Sequence, residues 1–264
     1  MIETYYNLSG LPFEKATAFE NLFSNAAATE LLARLAHLQQ CRGMMLITGE
    51  PGSGKTTVVH HFASKLNPNS YQVIYIPLST VTATDFYRQL CRELTGQVPY
   101  RKSDLYRTAQ TAIRDLVENK KRIPVIILDE AHLLVHQTLM ELPILCNFQM
   151  DSVDPAMVIL IGHPHLRQRL EQHLYQSLLR RIVISFAMPP LTRPETEAFI
   201  EHHLALKKRK KPLFSDAAFQ AVFQNTSGSP AMIARLVIKT LHVGARQRID
   251  LLTEEQVFLA AKEL

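Results

Sequence analysis

The chain of 264 residues has little cysteine: Cys41, Cys91 and Cys146 only. With an odd count, wide spacing and no Cys-x-x-Cys, neither a disulfide framework nor a cysteine zinc centre follows, leaving three reduced structural thiols. Long hydrophobic runs are also missing. The longest charge-free apolar stretches, such as residues 125–128 and 156–161, fall far short of the roughly 18 residues a membrane span needs. No basic-then-apolar leader opens the sequence, so the expectation is a soluble, cytoplasmic chain with no membrane partner. There is no His-Glu-x-x-His. His132 and His136 would share a face if helical, and His163 and His165 stand two apart, but neither spacing is a metal motif. Internal repeats and low-complexity segments are absent.

What is present suits a globular fold. Hydrophobic residues make up 47% of the chain, ample for a core, and charged residues 20%; the net charge is +5. That mildly basic balance is compatible with a nucleic-acid partner without requiring one. Leu31, Leu32, Leu35 and Leu38 fall at helical spacing. Five short apolar runs read as strands: residues 44–47, 73–76, 125–128, 157–161 and 182–186. Between them lie helical patterns at 57–66, 85–94 and 103–120, the last with Ser103 as a plausible cap. Continuously apolar strands alternating with helices predict an α/β fold, a doubly wound parallel sheet of five strands. After Pro189-Pro190 only helical patterns remain, so the predicted boundary divides residues 1–190 from a small all-helical domain at 191–264.

Gly49-Glu50-Pro51-Gly52-Ser53-Gly54-Lys55-Thr56 matches the G-x-x-x-x-G-K-[ST] pattern, between a predicted strand and a predicted helix. Such a loop turns backbone N–H groups toward phosphate oxygens at the positive end of the following helix. Lys55 would bridge the β- and γ-phosphates of ATP, and the Thr56 hydroxyl would coordinate Mg²⁺. The strand ending in Leu128 delivers Asp129 and Glu130 at its C-terminal tip, where ligands bind in open α/β sheets. Asp129 would hold Mg²⁺ through water and Glu130 would polarise the attacking water, since phosphoryl transfer needs positioning and charge neutralisation above all. The combination predicts an ATPase.

With both motifs in place, the order of landmarks resembles AAA+ proteins. Within them it resembles, more narrowly, the ExeA-like ATPases, whose relatives include the transposition helpers TniB and TnsC. The resemblance covers nearly the whole chain. It runs through Leu11-Pro12-Phe13, the Gly49 to Thr57 loop, Asp129-Glu130-Ala131-His132-Leu133, Asn147-Phe148-Gln149-Met150-Asp151-Ser152, Leu160-Ile161-Gly162-His163-Pro164, Arg180-Arg181-Ile182 and Gly228-Ser229-Pro230. It implies that Phe13 and Thr57 lie by the nucleotide. It also implies that His163 takes the first sensor position, where relatives usually carry an amide; the alternative is a histidine capping the next helix. Arg181, or else Arg180, matches the arginine finger that reaches a neighbouring subunit's ATP, which implies an ATP-driven homo-oligomer, ring or helical filament. One departure stands out. Relatives read Gly-x-Pro-Arg in the helical lid, and this chain has Ala231, with Arg235 one turn on as the substitute. Hydrolysis is therefore expected to be slow or partner-dependent.

Three basic patches remain: Tyr100-Arg101-Lys102, Lys120-Lys121-Arg122 and the run from Lys207 to Lys211. Each is either a solvated loop or a contact to DNA phosphate. The resemblance implies that Thr84, Arg101 and Lys102 face duplex DNA, with Lys121 a further candidate. Two functions follow. One is a transposition regulator that oligomerises on DNA with ATP, marks the target and recruits or activates a transposase. The alternative is a secretion-associated ATPase of the ExeA type. Those proteins continue into a membrane span and a cell-wall-binding region; this chain carries neither after its lid, which favours the DNA role. A replication-initiator reading would need an appended winged helix, for which there is no room.

Overall fold

The computed structural model describes residues 2–14, 21–77, 82–148, 154–209 and 211–263. The Gln149 to Ser152 part of the landmark around Asn147, and Lys210, lie outside the described residues. The packing divides the chain into two compact units. One comprises Glu30–Gly49 and Val59–Met188; the other comprises Met1–Thr29, Glu50–Val58 and Pro189–Leu264.

The first unit is built on a sheet of five strands: β1 (Gly43–Gly49), β2 (Tyr71–Ile76), β3 (Ile123–Leu128), β4 (Met157–Gly162) and β5 (Ile182–Met188). Every pairing is parallel and the order is β2-β3-β4-β1-β5. The predicted runs all became strands. β1 and β4 are buried along their whole length and β3 along all but its first residue, while the edge strands β2 and β5 expose part of theirs. That contrast is expected of a sheet covered on both faces, where only edges meet water. Helices α4 (Ala83–Thr95) and α5 (Lys102–Glu118) press Phe86, Leu90, Leu105, Ala109 and Ile113 against Met44, Ile74, Ile126 and Val158. Each of the larger side chains among them contributes roughly 1.5–3 kcal/mol on burial. Ser103 does not cap α5: the N-cap is Arg101, and Ser103 sits inside the first turn.

The second unit is helical. Its described elements include α1 (Ile2–Tyr6), α9 (Arg193–Leu206), α10 (Asp216–Thr226), α11 (Pro230–Gln247) and α12 (Glu254–Ala261). Ile2, Tyr6 and Leu8 are buried with Ile200, Val222, Leu236 and Leu241 in one core. The N-terminal segment therefore packs with the C-terminal helices, a grouping that a single cut near Pro190 does not express. Further described helices are α2 (Ala26–Cys41), α3 (Lys55–Lys65) and α6 (His136–Leu145). They are followed by α7 (Pro164–Leu170) and α8 (Gln176–Leu179).

Candidate functional site

The glycine-rich loop leaves the tip of β1 after Gly49 and runs through Glu50, Pro51, Gly52, Ser53 and Gly54 into α3. Gly52 and Gly54 have φ of 75° and 92°, and the curl is closed by the Ser53 N–H donating to the Glu50 carbonyl at 3.2 Å. Lys55 is only 7% exposed. A buried ammonium needs acceptors, and its Nζ donates to the Glu50 carbonyl at 2.9 Å and Ser53 Oγ at 3.2 Å. These are neutral acceptors, weaker partners than a phosphate oxygen. Thr56 and Thr57 stand in the first turn of α3, half-buried. The Ala231 N–H donates to the Gly52 carbonyl at 3.2 Å, and a Cβ on Gly52 would meet that of Ala231 at 2.5 Å. Ala231 is thus packed on the loop by backbone and methyl, while Arg235 is exposed one turn along α11.

Phe13, with φ of 63°, packs its ring 4.6 Å from His203 and 5.5 Å from Phe199, both on α9. Lys207 at the end of α9 is also drawn in. Its Nζ meets Glu14 Oε2 at 2.7 Å, and Arg209 donates to the Tyr6 carbonyl at 2.9 Å. Two members of the basic run therefore tie down the N-terminal segment.

In the sheet unit, the tips of β1 and β3 flank that of β4, since Leu128 and Leu46 both pair with Leu160. Asp129 is 6% exposed, and its carboxylate is fixed at both oxygens. Oδ2 accepts from the Tyr75 hydroxyl at 2.9 Å, and Oδ1 from the Glu130 N–H at 2.9 Å. Tyr75 was not singled out in the sequence. It sits on edge strand β2, and burial together with the Asp129 charge pushes its hydroxyl up to about 12, so it stays a donor at every physiological pH.

Glu130 adopts the left-handed region, φ 51° and ψ 36°, which is uncommon outside glycine and clusters at functional sites. Its Oε2 lies 3.3 Å from His132 Nδ1 and 3.7 Å from His163 Nε2. His163 holds the N-cap position of α7 without a side-chain cap bond; its ring stacks on His132 instead, centroids 3.8 Å apart. His132 and His136 share no helical face, because His132 lies in a short 3-10 turn (Ala131–Leu133) and His136 opens α6.

The arginines differ. Arg181 is half-buried and donates to the Cys146 carbonyl at 3.4 Å, whereas Arg180, the C-cap of α8, is exposed. Among the DNA candidates, Thr84 stands in the first turn of α4, and Lys102 is ion-paired with Glu141. Arg101 and Lys121 sit beyond opposite ends of the 17-residue α5, about 25 Å apart at 1.5 Å per residue. They do not form one patch.

Comparison with known proteins agrees with this architecture. Over 270 positions the chain is 29% identical to the general secretion pathway protein A of Aeromonas hydrophila, a match covering 100% of this chain and 48% of that protein. The chain thus spans about half the length of this relative. Among solved structures it superposes on Cdc6p from Pyrobaculum aerophilum with a TM-score of 0.69, 14% identity and coverage of 99% and 70% of the two chains. Drosophila ORC bound to DNA gives 0.65, 16%, and 97% and 62%. The Thermotoga maritima RuvB Holliday junction branch migration motor gives 0.59, 19%, and 92% and 70%. These three share the fold. Residues 38–170, spanning the glycine-rich loop and both strand-tip carboxylates, match the AAA domain family, and the chain belongs to it.

Proposed function

We propose that this chain is a Mg²⁺-dependent ATPase of the secretion-associated type, working as a homo-oligomer. The observation that carries the secretion assignment is the match to general secretion pathway protein A over the chain's whole length. The residues suit nucleotide and metal. The loop offers a buried ammonium beside the Glu50 carbonyl and the Ser53 hydroxyl, and Asp129 is a buried carboxylate whose oxygens accept from Tyr75 and the Glu130 backbone. Bound Mg²⁺ would neutralise phosphate charge in the transition state. Lys55 would draw charge from the terminal phosphates, and Thr56, with Asp129 acting through water, would supply the oxygen ligands that a hard cation prefers. Glu130, turned out by its left-handed backbone and half exposed, orients water for attack. His163 restrains Glu130 by contact. Arg180 is the better-exposed finger for a neighbouring subunit and Arg181 the alternate. Phe13 and Arg235 stand as the remaining nucleotide contacts.

The transposition reading, with duplex DNA and a transposase as partners, gives way to its alternative. Because the chain aligns with only 48% of the secretion relative, the lack of a span and wall-binding region in these 264 residues does not weigh against the secretion role. Of the four DNA candidates, Thr84 stands on α4, Arg101 and Lys121 lie beyond opposite ends of α5, and Lys102 is ion-paired with Glu141. Phosphate release by the purified chain, with and without duplex DNA, separates the readings. Turnover that needs Mg²⁺ and is indifferent to DNA is expected. DNA-dependent turnover with filaments on duplex DNA would restore the transposition role.

A further inference from the structure

We propose that Glu130, His132 and His163 form a binding site for a borderline transition-metal ion of the Zn²⁺ class, and that its occupancy withdraws Glu130 from hydrolysis. The second half rests on the ATPase reading; the site itself does not.

The three side chains come from the tips of neighbouring strands β3 and β4 and offer ligand atoms that lie within 4.8 Å of one another. The two imidazole nitrogens converge on the same oxygen, Glu130 Oε2, at 3.3 and 3.7 Å. A tetrahedral ion with bonds of about 2.1 Å places its ligand atoms about 3.4 Å apart, so both nitrogen–oxygen separations are already close to those required. Two imidazoles and a carboxylate form a donor set that zinc takes with a fourth position open. Mg²⁺ prefers oxygen ligands alone, so the set discriminates between this ion and the one hydrolysis needs.

The scaffold holds the ligands in place. Gly162 lets the turn bearing His132 close over the tip of β4: a Cβ there would lie 3.3 Å from the His132 backbone nitrogen and 2.7 Å from Leu166 Cδ2. Arg169 fixes that turn from behind, donating to the carbonyls of His132 at 3.3 Å and Leu134 at 2.8 Å. His132 is nearly buried, with 8% of its side chain exposed, while Glu130 is open at 51%. An ion therefore enters from the Glu130 side. The rings stack with an interplanar angle of 18°, so joint ligation needs the His163 ring to turn about its terminal torsion, a broad well. At 29% exposure it has room.

The test titrates the untagged chain with Co²⁺ alone, without nucleotide, and reads the visible absorption of tetrahedral cobalt. One equivalent is expected to bind with a visible band that Zn²⁺ displaces. The double substitution His132→Ala, His163→Asn is expected to weaken Co²⁺ at least about a hundredfold, beyond the loss typical of outer-shell changes, with unchanged far-UV circular dichroism. If the double variant does not fold, His163→Asn alone is expected to lose at least about tenfold. Wild type that binds no Co²⁺, or a folded variant that binds as wild type does, overturns the site. With Mg²⁺-ATP present, one equivalent of Zn²⁺ is expected to suppress turnover, and a chelator to restore it. Cobalt binding without any ATP turnover would keep the site and remove the ATPase reading. Turnover indifferent to Zn²⁺, with no cobalt band, would do the reverse.

Discussion

Asp129 illustrates how one side chain is prepared for its work by its neighbours. Both its oxygens accept a bond, one from Tyr75 and one from the Glu130 backbone, which fixes the plane of the carboxylate. A hydrogen bond to a charged group contributes about 1.5–3 kcal/mol. Tyr75→Phe removes one while keeping the ring, and is expected to raise the Mg²⁺ concentration for half-maximal turnover several-fold, with nucleotide binding in the absence of Mg²⁺ unchanged. A Mg²⁺ titration of the variant that overlays wild type would remove this role. Asp129 and Glu130 were legible in the sequence because they end an apolar run. Tyr75 was not, since a tyrosine at a half-exposed edge strand looks like ordinary strand composition until the pairing of β2 with β3 puts its hydroxyl against Asp129. The same holds for His132 and His163, 31 positions apart, which meet only because β4 lies beside β3.

At the level of elements, local chemistry decided most boundaries. The helix opening α9 carries a capping box: Thr192 accepts from Glu195 and the Glu195 carboxylate accepts from the Thr192 N–H at 2.9 Å. Thr192→Ala is expected to cost about 1 kcal/mol of stability, measured by denaturant unfolding followed by circular dichroism; no loss would mean the cap is redundant. The glycine-rich loop is constrained from another direction. Gly52→Ala would force a side chain into the left-handed region and into the methyl of Ala231 at 2.5 Å. It is expected to lower nucleotide affinity at least tenfold, by displacing the loop rather than by removing any polar contact. Wild-type affinity in that variant would contradict the close packing. β1, β3 and β4 could be read from apolar runs because they are buried on both faces, and the edge strands β2 and β5 because their sequences are largely apolar although part of each is exposed. The missing Ser103 cap shows the limit: a Ser near a helix start looks like a cap, but α5 begins one residue earlier.

The whole molecule carries a pH signature through His203. Burial above all, then His202 and Lys207 nearby, push its ring down from 6.5 to about 4. The folded chain thus holds a neutral ring that the unfolded chain protonates near pH 6.5. The stability this group supplies is complete above pH 6.5 and is lost as pH falls through about 4, amounting to roughly 3 kcal/mol at about 1.4 kcal/mol per pH unit. Urea unfolding at pH 7.5 and 4.5 is expected to show this loss in wild type and a smaller one in His203→Gln; equal losses would exclude it. What the sequence could not disclose at this scale is non-local. Phe13, Glu14 and Tyr6 reach partners on or beyond α9 about 190 to 240 positions away, contacts that no periodicity announces. Calorimetry with Mg²⁺-ATP decides the proposed nucleotide role of Lys55 and Glu130. Wild type should bind it, Lys55→Ala should bind it at least a hundredfold more weakly, and Glu130→Gln should bind it fully yet release no phosphate. A folded wild-type chain that takes up no Mg²⁺-ATP would contradict it.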